Sequence, residues 1–126
     1  MKKLLLMMLL LLSATTLSAK GKTDITFSNN AHDFGTIKAD KGSVTATYEF
    51  TNTGDEPLTI INVTNGGCGC TKPEYPRQPI APGKKGTIKI TFNPRGRSGE
   101  FNRSVKVKVS SMKSRKVLTF SGVIVP

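Results

Sequence analysis

The chain is 126 residues long, 37% hydrophobic and 6% aromatic, with a formal net charge of +11 and two cysteines. A chain of that size is one domain's worth and buries a core of its own. Two cysteines exclude the multi-bridge disulfide scaffold of small secreted proteins.

Lys2-Lys3, an apolar run from Leu4 to Leu12 and a small-residue stretch from Ser13 to Ala19 open the chain. Basic, apolar and small-residue parts in that order make a secretory signal peptide. The apolar run falls well short of the roughly 20 residues a membrane-spanning helix needs. The expectation is a signal peptide over residues 1–19, one domain over 20–126 and no transmembrane helix after cleavage. Export to the periplasm or cell surface follows.

The mature part reads as strand and turn. Asp24–Ser28 and Asp33–Ile37 are short strand candidates. From Ser43 to Asn52, Val44, Ala46, Tyr48 and Phe50 alternate with Thr45, Thr47, Glu49 and Thr51. Period two with one apolar face marks a half-buried strand. Asn52-Thr53-Gly54-Asp55-Glu56-Pro57 is a turn, and Leu58–Val63 is a largely β-branched strand. Ala81-Pro82-Gly83 signals a β-turn ahead of Gly86–Phe92, where Ile88, Ile90 and Phe92 share a face. Asn93-Pro94-Arg95-Gly96-Arg97-Ser98-Gly99 is a connection. It is not a phosphate loop, because no helix follows it. Phe101, Val105, Val107 and Val109 form the next inward row, interrupted by Arg103. Lys116–Val125 closes the chain with Leu118, Phe120 and Ile124 on one face. About seven or eight short strands without helical periodicity predict an all-β antiparallel sandwich. With no tryptophan and two cysteines so close in sequence, an antibody-type domain is excluded.

Both cysteines sit in Asn65-Gly66-Gly67-Cys68-Gly69-Cys70-Thr71. On a regular strand Cys68 and Cys70 share a face at two residue rises, too far for the roughly 3.5–4.5 Å between Cβ atoms of an unstrained bridge. The glycines let the backbone curl and shorten that gap. Three readings stay open: small residues in a tight bend, a thiol or disulfide redox pair, or two ligands for a soft metal ion. A zinc site wants four ligands, and His32 is the chain's only histidine; two thiolates alone suit Cu(I). No catalytic residue, cofactor or definite metal site is assigned.

Charge is uneven. Residues 84–126 hold eleven Lys and Arg against Glu100 alone, whereas 20–83 hold six against seven acids. Arg95, Arg97, Lys106, Lys108, Lys113, Arg115 and Lys116 are therefore candidates for contact with an anionic envelope polymer. The bland alternative is lysine guarding strand edges against foreign pairing. Nucleic acid is not expected, because stacking aromatics are scarce near these charges.

Several stretches carry a family resemblance. "HDFGTIK" (His32–Lys38), "YEFTNTGDEPLTI" (Tyr48–Ile60), "GCGCTKPEYP" (Gly67–Pro76), "PIAPGKKGTIKITFNPRGRSGEF" (Pro79–Phe101) and "FSGVIV" (Phe120–Val125) follow one another as in the bacterial exported domain of unknown function 1573. That family is similar to the Hydin-like and major-sperm-protein-like branch of immunoglobulin-like sandwiches. The resemblance implies an immunoglobulin-like fold and export, and it supplies no catalytic residue or cofactor. The expected function is a non-catalytic binding or assembly module of the cell envelope, with another protein or an envelope polymer as partner. Redox or soft-metal chemistry at Cys68 and Cys70, and polyanion binding by the basic half, are the alternatives.

Overall fold

Alternating side chains dictate strands with one wet and one dry face, and two such sheets must close on each other. The computed structural model describes residues 23–65, 69–110 and 115–126, so the signal-peptide expectation for 1–19 lies outside the described residues. The strands are β1 (Ile25–Phe27), β2 (Ala31–Lys38), β3 (Val44–Asn52), β4 (Ile60–Thr64), β5 (Thr71–Glu74), β6 (Lys85–Phe92), β7 (Gly99–Val109) and β8 (Lys116–Val125). They form sheet A, in the order β1-β3-β6-β5, and sheet B, in the order β2-β8-β7-β4. Pairing is antiparallel throughout except between β2 and β8, which run parallel. The chain crosses from sheet A to sheet B between β1 and β2, and this sets the first long strand beside the last. Among the described residues no helix is long and apolar enough to cross a membrane.

The predicted inward rows are the buried ones. Ala46, Tyr48 and Phe50 of β3 and Ile88, Ile90 and Phe92 of β6 face Val105, Val107 and Val109 of β7 and Leu118, Phe120 and Ile124 of β8. Phe92 stacks on Phe101 with centroids 4.9 Å apart, and Phe120 lies 5.5 Å from Phe92. Arg103, the apparent interruption, keeps its place in the inward row. Its guanidinium carbon sits 5.7 Å from the Phe92 ring centroid, a cation–π approach at the margin of the core. The strand that sequence reasoning missed is β5, which contains Pro73. Its position at the edge of sheet A is where a strand tolerates a residue without an N–H.

Buried polar groups are tied down. Asn52 is 1% exposed. Its amide donates to the Glu56 carbonyl at 2.8 Å and the Ile80 carbonyl at 2.9 Å, and its oxygen accepts from the Gly54 N–H at 2.9 Å. One side chain thus fixes the turn after β3 to the segment before β6. Tyr48 reaches across the sandwich and donates to the Thr119 carbonyl of β8 at 2.6 Å. Burial pushes the pKa of its hydroxyl up to about 12.

Two glycines have no room for a side chain. A Cβ on Gly86 would sit 2.5 Å from the Phe50 ring, its cross-strand partner. A Cβ on Gly122 would sit 2.7 Å from the Gly35 carbonyl oxygen and 3.0 Å from the ring of its partner Phe101. Gly35 itself has φ 67° at the register shift in β2, and its N–H donates to Asp33 Oδ1 at 2.8 Å.

Overpacking a core typically costs about 1–3 kcal/mol. Urea unfolding should therefore show Gly86→Ala and Gly122→Ala each destabilised by about that much, while exposed Thr87→Ala stays within about 0.5 kcal/mol of the parent. The Tyr48 proton is held more tightly in the folded than the unfolded chain, where tyrosine titrates near pH 10. Its contribution is whole below about pH 10 and drains away as the pH rises towards 12. Over that window the parent should lose roughly 2 kcal/mol more than Tyr48→Phe, measured by denaturant unfolding at each pH.

Candidate functional site

Three segments gather where β6 ends and β7 begins: residues 39–43 after β2, residues 69–70 ahead of β5 and residues 93–98 after β6. Backbone bonds brace them. The Asn93 N–H donates to the Cys70 carbonyl at 2.8 Å, and the Ala39 N–H donates to the Val125 carbonyl at 2.9 Å. Within the third connection the Arg95 N–H donates to Asn93 Oδ1 at 3.1 Å and the Arg97 N–H to the Pro94 carbonyl at 3.0 Å. Gly96 supplies the positive φ of 79° that this turn requires. Pro94 is buried, which seats the turn on the end of the core.

Between these connections lies a cleft of about 430 Å³ lined by Ala39, Asp40, Gly42, Ser43, Asn93, Arg95 and Gly96. It offers one carboxylate, one guanidinium, a hydroxyl and an amide on a hydrogen-bonded frame. Sequence reasoning singled out Arg95 and missed Asp40, Ser43 and Asn93. Their only signal was that they lie in turns, and chain order says nothing about which turns meet.

Cys70 borders this end, half-buried and packed against the core. It is disulfide-bonded, and Cys68 lies outside the described residues. The Asn65 amide donates to the Thr71 carbonyl at 2.8 Å, joining the residue after β4 to the first residue of β5. A bridged sulfur presents no thiolate, and the thiolate is both the metal ligand and the nucleophile. His32 does not meet Cys70. It lies on β2, at the opposite edge of sheet B from β4, and stacks edge-on against Phe34 at 4.5 Å. Among the described residues no cluster of three or more His, Cys, Asp or Glu is placed to hold a metal ion.

The basic candidates fall into two groups. Arg95 and Arg97 belong to the loop end, whereas Lys106, Lys108, Arg115 and Lys116 lie along β7 and at the start of β8. The seven to nine residue rises of β7 from Gly99 to Lys106 and Lys108 separate those groups by roughly 24–31 Å at about 3.4 Å per residue. Lys113 lies outside the described residues. Lys106 and Arg115 share a shallow cleft of about 590 Å³ with Val63, Thr64, Asn65, Pro73 and Ser104.

Residues 25–124 match the family model described as Protein of unknown function (DUF1573). The chain belongs to that family. No curated protein matches it. Among solved structures, a protein of unknown function from Porphyromonas gingivalis W83 is similar at TM-score 0.65 and 18% identity, over 88% of this chain and 50% of that one. The Vibrio cholerae VesB protease is similar at TM-score 0.59 and 12% identity, over 82% and 32%. The sialic acid binding region of a Streptococcus sanguinis SK1 adhesin is similar at TM-score 0.50 and 13% identity, over 85% and 30%. The chain spans half or less of each of these proteins, and at such identities the likeness shows the fold alone. In this DUF1573 domain the quoted motifs have a packing explanation. "HDFG" carries the Gly35 register shift, "FSG" carries the Gly122 contact beneath Phe101, and "GKKG" carries the Gly86 contact beneath Phe50.

Proposed function

We propose that this DUF1573 domain is a non-catalytic binding module, exported to the cell envelope, whose contact surface is the cleft between residues 39–43 and 93–96. The braced connections around Asn93 carry this reading. Loops held by backbone bonds to neighbouring strands lose little conformational entropy when a partner binds, which favours recognition. Asp40 and Arg95 place opposite charges on the lining of one cleft. That mixture suits a protein surface carrying both signs better than a polyanion. The basic, apolar and small-residue pattern of residues 2–19 supports export.

The bridged Cys70 favours a second reading, thiol–disulfide exchange with an envelope dithiol. In that step the partner's thiolate attacks a sulfur of the bridge and its second thiol resolves the mixed disulfide, so that the partner is oxidised and this chain reduced.

A photo-crosslinking residue at Ser43 tests the binding reading against one at Thr47, on the outer face of sheet A. A discrete crosslinked partner is expected in cells from position 43 and not from 47, and Arg95→Glu should remove it. Equal capture from both positions, or none from position 43, would contradict the reading. Capture that survives Arg95→Glu and is lost in Cys70→Ser would favour thiol exchange.

A further inference from the structure

The outer face of sheet B is complementary to itself. Its ladder places four rows across neighbouring strands: Val123 beside Glu100, Ser121 beside Asn102, Thr119 beside Ser104, and Val117 beside Lys106. An acid and an exposed valine mark one end, and a base and an exposed valine mark the other. Small hydroxyl and amide side chains fill the middle. Val117 is 45% exposed and Val123 37%, and both point away from the core.

We propose that two copies of this domain pair through the outer face of sheet B, about a two-fold axis that runs across the strands between the Asn102 and Ser104 rows. Such an axis lays β7 on β7 in opposite directions. Glu100 of each copy then meets Lys106 of the other, Val123 meets Val117, Ser121 meets Thr119 and Asn102 meets Ser104. A two-fold contact uses the same patch twice, so each feature of the patch needs its complement within that patch. All four rows satisfy this requirement. A surface built for an unrelated partner has no reason to. Face-to-face packing of sheets within about 30° of alignment is an established way to join them.

The rest of the face limits the strength. Lys108, Arg115 and Lys38 lie beyond the four rows, and Lys38 sits beside Val125 at the rim. Asp33, beside Ser121, meets Ala31 of the other copy across the axis. Three strands about 4.8 Å apart and four rows give roughly 400 Å² per copy, about half the area of a standard interface. The pair is therefore weak and reversible. This surface is separate from the loop-end cleft, so its failure and the failure of the binding reading are independent.

Sedimentation velocity across a concentration series to about 1 mM tests the pairing. The parent should show a concentration-dependent dimer. Glu100→Lys and Lys106→Glu should each weaken it roughly tenfold, because each creates two like-charge contacts per dimer. The double variant should return to within about threefold of the parent, because both contacts are restored with signs exchanged. Both side chains are exposed, and circular dichroism confirms that each variant keeps the fold. A parent that stays monomeric at every concentration, single variants that associate as well as the parent, or a double variant no better than the singles would overturn the proposal.

Discussion

Each sheet of this sandwich is pinned by a phenylalanine lying across a glycine on the neighbouring strand, Phe50 over Gly86 in sheet A and Phe101 over Gly122 in sheet B. In both pairs the ring occupies the space a Cβ would fill. The glycine weakens its own strand, and the ring covering it restores the lost contact. At Gly122 the constraint is double, because the Gly35 carbonyl of β2 approaches from the same side. That approach falls at the register shift where β2 runs parallel to β8, an arrangement that alternation alone does not foretell. Without tryptophan in the chain, the small cluster of Phe34, Phe92, Phe101 and Phe120 supplies the bulk between the sheets at this end.

The loop end depends on that cluster. Phe92 is the last residue of β6, and Asn93 follows it directly into the cleft. A ring locked by stacking therefore fixes the origin of the connection that carries Arg95. Cys70 is tied to the same point through the Asn93 N–H. At the other end of β3, Asn52 does by hydrogen bonding what the aromatic rings do by packing, holding two connections in one geometry. Between the ends, the outer face of sheet B carries polar side chains with Val117 and Val123 exposed among them.

Much of this was legible in the sequence because a strand writes its burial into alternate residues. Val44 to Phe50, Ile88 to Phe92 and Val105 to Val109 needed no structure to be placed. β5 was hidden because Pro73 argues against a strand unless its position at a sheet edge is known. Arg103 looked like a break in an apolar row, and the Phe92 ring beneath it became visible only in three dimensions. The basic residues were legible as a composition and illegible as a surface. Net charge counts residues, whereas β7 carries its lysines far from Arg95. Asp40 and Ser43 were silent for the same reason: the contact between their turn and the 93–96 turn is long-range.

Stacking of Phe92 on Phe101 holds the cleft-forming connections in one conformation before any partner arrives. Backbone ¹⁵N relaxation on the free protein measures this directly. Order parameters for residues 39–43 and 93–97 near about 0.85, equal to those of β3 and β7, are the predicted result. Values below about 0.6 in those two segments, with the strands still rigid, would contradict it.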